Sequence, residues 1–332
     1  MNTSYLIIVL TVILALSFDF INGFHDTANA IATAVSTKAL TPRRAIMIAS
    51  IMNFVGAVAF TGVAKTIAKD IVNLDAIPNG AVVILAALIS AIVWNLVTWY
   101  FGIPSSSSHA LIGSIAGAAI TAAGTASINF KGFISIIESL ILSPILAFGV
   151  GYVVFTIIKQ IFKNLNLSKT NRRFRRLQAL TAAIQAFAHG TNDAQKSMGI
   201  ITMALVSNGL DKSGNIPLWV QVCCATAMAL GTSIGGWRII KTVGTQIMKI
   251  KPVNGVAADL SSALVIFGAS KFGLPVSTTH VISSSIMGVG SAYRVKAVKW
   301  NTGKRMVITW FITLPIAASI SAGIYAIINL FL

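Results

Sequence analysis

The chain has 332 residues, 55% of them hydrophobic and only 10% charged, with a mean hydropathy of +0.82, whereas soluble domains carry about a quarter charged residues. A formal net charge of +17 does not point to nucleic acid, because the Lys and Arg residues sit in short connectors between apolar runs, where the positive-inside rule places them. Cys223 and Cys224 are adjacent within an apolar run, which gives no spacing for a disulfide framework or a metal site and makes them packing residues.

The first apolar run lacks a basic leader and a small-residue cleavage site and has Asp19, Asn22, His25 and Asp26 toward its end, so it reads as a membrane helix and not as a removable signal. Apolar segments lie at 5–34, 43–65, 80–103, 105–125, 131–160, 177–206, 216–247, 255–273, 276–293 and 306–331, several near or above the ~20 residues that span a bilayer. The expected fold is an all-α integral membrane protein of about ten helical segments. Lys159, Lys163, Lys169, Arg172, Arg173, Arg175 and Arg176, with no acid among them, mark 159–176 as a cytoplasmic linker between segments 1–158 and 177–332. Counting outward from it places both termini outside the cytoplasm. The connectors with Lys38, Arg43 and Arg44, with Lys241, Lys249 and Lys251, and from Arg294 to Arg305 then all fall inside.

The two halves repeat each other at their few polar places. Gly23-Phe-His-Asp-Thr-Ala-Asn-Ala30 matches Gly190-Thr-Asn-Asp-Ala-Gln-Lys-Ser197, with Asp26 opposite Asp193 and Asn29 opposite Lys196. Gly102-Ile-Pro-Ser-Ser-Ser-Ser-His109 matches Gly273-Leu-Pro-Val-Ser-Thr-Thr-His280. An odd number of segments precedes the repeat, so the second half is expected upside down relative to the first, the inverted-repeat plan of secondary transporters.

An ionisable group at membrane depth costs at least ~2.5 kcal/mol, so paired aspartates there call for a task. Asp26 and Asp193, beside residues that permit a helix break, suit a cation. Pro104 and Pro275 precede hydroxyl residues, as at helix starts, and such starts offer amides and a positive dipole end to an anion. The candidate substrate ligands are Ser105, Ser106, Ser107, Ser108, Ser277, Thr278, Thr279 and Asn192, and the candidate cation-coupling residues are Asp26, Asn29, Asp193, His25 and Lys196. Against this stand plainer readings: Ser-rich stretches and Asn53 or Asn95 as interhelical hydrogen-bonders, and Asp19 and Asp259 as structurally paired groups. A shared site needs the tips at Ser105 and Ser277 near the midplane, which favours broken helices or re-entrant hairpins over full spans at 80–125 and 255–293.

With these motifs the chain resembles, over essentially its whole length, the PiT family of inorganic phosphate transporters. The resemblance implies a central site where broken helices meet, and symport of phosphate with sodium ions or protons. It places Asp26, Asn29 and Asp193 on the family's conserved Asp and Asn, and Ser105–Ser108 with Ser277–Thr279 on its substrate-side hydroxyls. Many sodium-coupled relatives have Asn in both halves, but here the second copy is Lys196, and His25 replaces an amide. The form resembles the bacterial, proton-coupled branch, which is thought to move phosphate partly as a neutral complex with a divalent metal.

The expectation is therefore a plasma-membrane, multi-pass phosphate symporter driven by protons, with no cofactor and no fixed metal. The alternatives are sodium coupling through Asp26 and Asn29, or sulfate as the anion. The doubled Ser, His and Asp placement favours binding over hydrolysis, and the concentration of polar groups in two zones disfavours a channel. The expected partners are phosphate and the bilayer, not nucleic acid, with a homodimer left open.

Overall fold

Every apolar segment of the sequence is helical in the computed structural model, which describes residues 3–73, 77, 79–163, 167–211 and 213–331. The order is α1 (Thr3–Ser36), α2 (Pro42–Ala59), α3 (Gly62–Asp70), α4 (Gly80–Phe101), α5 (Ser107–Ala123), α6 (Phe130–Ile161), α7 (Leu167–Ser207), α8 (Leu218–Ile234), α9 (Trp237–Lys241), α10 (Pro252–Lys271), α11 (Thr278–Arg294) and α12 (Trp300–Asn329). A single antiparallel bridge, Val72 to Ile128, is the only β pairing among the described residues. Five helices (α1, α4, α6, α10 and α12) are long and apolar enough to cross a membrane, and the α2–α3 and α8–α9 pairs qualify when each is taken together.

Three features depart from the sequence reading. The runs 43–65 and 216–247 are each broken, with bends of 64° at Phe60–Thr61 and at Gly235–Gly236, where Gly235 has φ +78°. The basic linker is not all connector: α7 starts at Leu167, because the stretch from Lys169 to Arg176 contains no Gly or Pro and is rich in helix-forming Arg. Pro104 and Pro275 do not sit in the first turns of α5 and α11; each lies two residues before the cap. Their physical role is to stop the chain after α4 and α10.

Those two stops are alike. Gly102 (φ +65°) and Gly273 (φ +70°) end α4 and α10 in the left-handed conformation that glycine adopts without penalty. Gly102 N–H donates to the Trp99 carbonyl and Ile103 N–H to that of Thr98, while Gly273 and Leu274 donate to Ser270 and Ala269. Four residues on in each case, the next helices begin on Ser106 and Ser277, whose hydroxyls accept from His109 N–H at 3.1 Å and His280 N–H at 3.3 Å. α4 packs on α5 and α10 on α11, so each pair is a hairpin of a long helix and a shorter, deeply buried one.

Small residues let the helices approach closely. A Cβ on Gly23 would overlap the Met228 carbonyl and one on Gly231 the Phe20 carbonyl, at the α1–α8 crossing; Gly190 and Gly56 do the same against Asn53 and Phe187 where α7 crosses α2. α5 lays Gly113 and Gly117 on Leu314 and Ala318 of α12, and α11 lays Gly288 on Phe148 of α6. Each hairpin thus rests on the last long helix of the other half. In α6 and α12, which carry internal Pro144 and Pro315, only 22% of the most apolar window is buried, against 56% and 61% in α4 and α10. The outer pair turns Ile141, Ile145, Ile308 and Phe311 outward.

Overpacking a tight contact costs about 1–3 kcal/mol, and here the neighbour is backbone, which cannot move aside. Gly231→Val and Gly56→Val are therefore expected to lower the thermal unfolding midpoint in detergent markedly. Gly323→Val, where a side chain would meet open space, should leave it unchanged; equal midpoints in all three would show that the crossings tolerate a side chain.

Candidate functional site

α1 presents Asp26 and Asn29 one helical turn apart on the same face, and α7 presents Asp193 and Lys196 with the same spacing. The hairpin tips bring the starts of α5 and α11 against them. Ser107 Oγ donates to Asp26 Oδ2 at 3.2 Å, and at the matched position of the other half Thr278 Oγ1 donates to Asp193 Oδ2 at 3.1 Å. One ligand atom from each of Asp26, His189 and Asp193 lies within 4.8 Å of the others, so the two halves share a single centre. All of these side chains are buried, none more than 2% exposed, and the centre is closed on both sides.

The bonds around each carboxylate differ in kind. Asp26 is held by His25 Nδ1 at 2.6 Å from Oδ1 and by the Ser107 and Thr279 hydroxyls, the latter at 3.3 Å. Asn29 donates to Thr279 Oγ1 at 2.9 Å and, more weakly, to Thr278 at 3.4 Å, while its Oδ1 has no partner among the described residues. Asp193 instead takes the Lys196 ammonium on Oδ1 at 2.6 Å, with His189 Nε2 3.1 Å from Oδ2 and Asn22 Nδ2 at 3.5 Å. A charge-assisted bond of that length is a strong one.

Some of the sequence-derived candidates turn out to position the backbone. Asn192 spends its amide on Ser270 Oγ (3.0 Å) and the Leu274 carbonyl (3.1 Å), and its oxygen accepts from Val276 N–H (3.1 Å), so it clamps the loop before α11. His25 does the equivalent before α5: its Nε2 meets Thr98 Oγ1 at 3.1 Å, which in turn accepts from Ser105 at 2.8 Å. Ser108 donates across the centre to the Val276 carbonyl at 2.8 Å. Ser106 serves as the α5 cap and also meets His109 Nδ1 at 2.8 Å.

Thr98 was not legible as part of this centre, since a single threonine in an apolar helix carries no signal in sequence. The same holds for the buried column Thr33, Thr181, Gln185 and Ser262, which joins Asn29 to Asp259. Asp259 accepts from Thr33 at 2.6 Å and Thr181 at 3.0 Å, and Gln185 donates to the Asn29 carbonyl and accepts from Ser262. Asn53 bonds Thr232 at 3.0 Å and His189 at 3.2 Å, as an interhelical hydrogen-bonder should, whereas the Asn95 side chain finds no partner.

Two hydroxyl-capped helix starts face two carboxylates at this centre, and residues 22–321 match the phosphate transporter family. The chain belongs to that family. The transporter is 67% identical to a probable low-affinity inorganic phosphate transporter of Bacillus subtilis over 99% of both chains. It is 44% identical to one of Rhizobium meliloti, over 94% of this chain and 93% of the relative. Among solved structures it is similar to one described as the sodium-dependent phosphate transporter, with a TM-score of 0.87 and 28% identity, covering 98% of this chain and all of that one. The protein is thus a multi-pass phosphate transporter.

Removing one partner of a buried ion pair leaves an uncompensated charge and costs roughly 3–5 kcal/mol, whereas removing both is often neutral. Asp193→Asn in the transporter is accordingly expected to lower detergent stability strongly, and Asp193→Asn with Lys196→Met to regain most of the loss. A double variant no more stable than the single one would show that the pair does not govern stability.

Proposed function

We propose that the chain is a symporter that carries inorganic phosphate inward with protons, through two inverted repeats, 1–158 and 177–332, whose termini both face away from the cytoplasm. The observation that carries this is the convergence of the α5 and α11 starts, capped by Ser106 and Ser277, on Asp26 and Asp193. Helix starts supply amide donors and a positive dipole end, and the hydroxyls of Ser105–Ser108 and Ser277–Thr279 supply hydrogen bonds that a tetrahedral oxyanion accepts. Phosphate, unlike sulfate at neutral pH, also donates a hydrogen bond, which Asp26 or Asp193 accepts. The names of the relatives favour the same anion.

Charge supports the coupling. Among the described residues, the interior buries Asp19, Asp26, Asp193 and Asp259 against one lysine, Lys196. An arriving phosphate adds further negative charge and enters against ~2.3 kcal/mol per charge per 100 mV, so positive charge must travel with it. At the second half the Lys196 ammonium already sits at 2.6 Å from Asp193, where a sodium ion would otherwise bind. The His25–Asp26 pair, joined at 2.6 Å, then takes up the proton. The same need is met when phosphate travels as a neutral complex with a divalent metal, and the closeness of Asp26, His189 and Asp193 suits that cargo. A second reading, sodium held by Asp26 and Asn29, is favoured by the unpartnered Asn29 Oδ1 and by the sodium-dependent structural relative.

In proteoliposomes, a pH gradient in sodium-free buffer is expected to drive phosphate accumulation, with loss of accumulation in Asp26→Asn. Accumulation under a sodium gradient alone would instead select the second reading. Ser106→Ala and Ser277→Ala should each weaken phosphate binding by the ~1.5–3 kcal/mol of a hydrogen bond to a charged ligand and lower stability by the ~1 kcal/mol of a lost cap. Binding isotherms and melting curves on the same samples separate the two effects, and unchanged affinity would move phosphate away from these tips.

A further inference from the structure

Among the charged groups that break the correspondence of the halves, Lys196, Asp19 and Asp259, which stands opposite Leu88, the first two are neighbours. Lys196 stands where the first half has Asn29. Asp19, seven residues before Asp26, corresponds to Ala186, seven residues before Asp193. Asp19 is fully buried, and its Oδ1 accepts from Ser197 Oγ at 2.7 Å, the residue next to Lys196. Its Oδ2 has no hydrogen-bond partner of ordinary geometry among the described residues.

A carboxylate has about four lone-pair sites, and a buried anion needs them met. Asp26 has three side-chain partners and Asp193 has an ammonium, a hydroxyl and an amide. Asp19 has one hydroxyl, that of Ser197, with only the weak thiol donor of Cys224 beside it. The titratable groups that face it are Cys224 from α8, and Lys196 and Asp193 from α7. Lys196 is committed to Asp193, so in this closed arrangement Asp19 lies near an ammonium that neutralises another acid.

Resting on the proton-coupled reading above, we infer that Asp19 binds a coupling proton: it holds the proton while Lys196 pairs with Asp193, and releases it when the Lys196 ammonium is drawn from Asp193 toward Asp19. No bond is made or broken in this exchange except O–H, the proton leaving Asp19 Oδ2 for water on the receiving side. The device needs the two one-sided residues together, because without Lys196 nothing would favour release, and without Asp19 the freed ammonium would lack a second counter-charge.

The test uses the full-length protein in proteoliposomes, with inorganic phosphate as the probe. Asp19→Asn should lose accumulation driven by a pH gradient while keeping phosphate–phosphate counterflow at equal pH close to the wild-type rate, and Asp19→Glu should restore accumulation. An Asn variant that accumulates phosphate like the wild type overturns the assignment of Asp19 and leaves proton coupling standing. Counterflow falling in step with accumulation also overturns it, because Asp19 would then be structural. A wild-type protein that ignores the pH gradient overturns the underlying reading and this inference with it. Should Asp19→Asn fail to reach the membrane, Ser197→Ala, which removes the hydroxyl donor to Asp19, must displace the pH profile of uptake; an unmoved profile is a refutation.

Discussion

Burying four aspartates with one lysine inside an apolar bundle is the constraint to which the other features of the protein answer. Unmet charge at that depth costs several kcal/mol, so each carboxylate recruits donors from whichever helix can supply them. Ser107, Thr278 and Thr279 come from the starts of α5 and α11, which fixes where the hairpin tips dock. The glycine crossings of α1 with α8 and of α7 with α2 bring the acid-bearing faces close enough for those tips to reach them. Clamps before α5 and α11, built on His25 and Asn192, hold the tips at the right height.

The correspondence between halves extends from the motifs to the bonds. The same αL glycine stop, the same serine cap and the same hydroxyl-to-aspartate bond occur in each. Departures from it then become informative. His25 bonds its neighbouring acid whereas Asn192 bonds only loop and α10 atoms, and Asn29 reaches across to Thr279 whereas Lys196 folds back on Asp193. A centre with one fixed ammonium on one side only is polarised.

Much of this was readable in the residues. The helical content, the segment count and the meeting of Asp26, Asp193 and the two hydroxyl clusters follow from apolar run length, charge placement and repeated Gly-x-Pro-x-Ser patterns, because a polar group in a membrane helix stands out against its neighbours. Asp193 and Lys196 were legible as a pair from their spacing alone. The break at 60–61 was not, since apolar composition is the same on either side of the bend and Phe60–Thr61 carries no breaker, whereas Gly235–Gly236 is a turn signal in its own right. The clamp role of Asn192 was hidden for another reason: a side-chain amide reads identically whether it faces an anion or a backbone loop. Thr98 and the Thr33–Asp259–Thr181 contacts depend on which helices become neighbours, information that one segment cannot hold.

Each hairpin resting on the last helix of the opposite half also bears on how the chain assembles. α5 finds its glycine-lined seat only on α12 and α11 only on α6, so the first hairpin leaves the ribosome long before its seat exists. Contacts this remote in sequence form late and slowly. Until α12 arrives, α5, which carries Ser107 and begins on Ser106, lacks the helix it rests on.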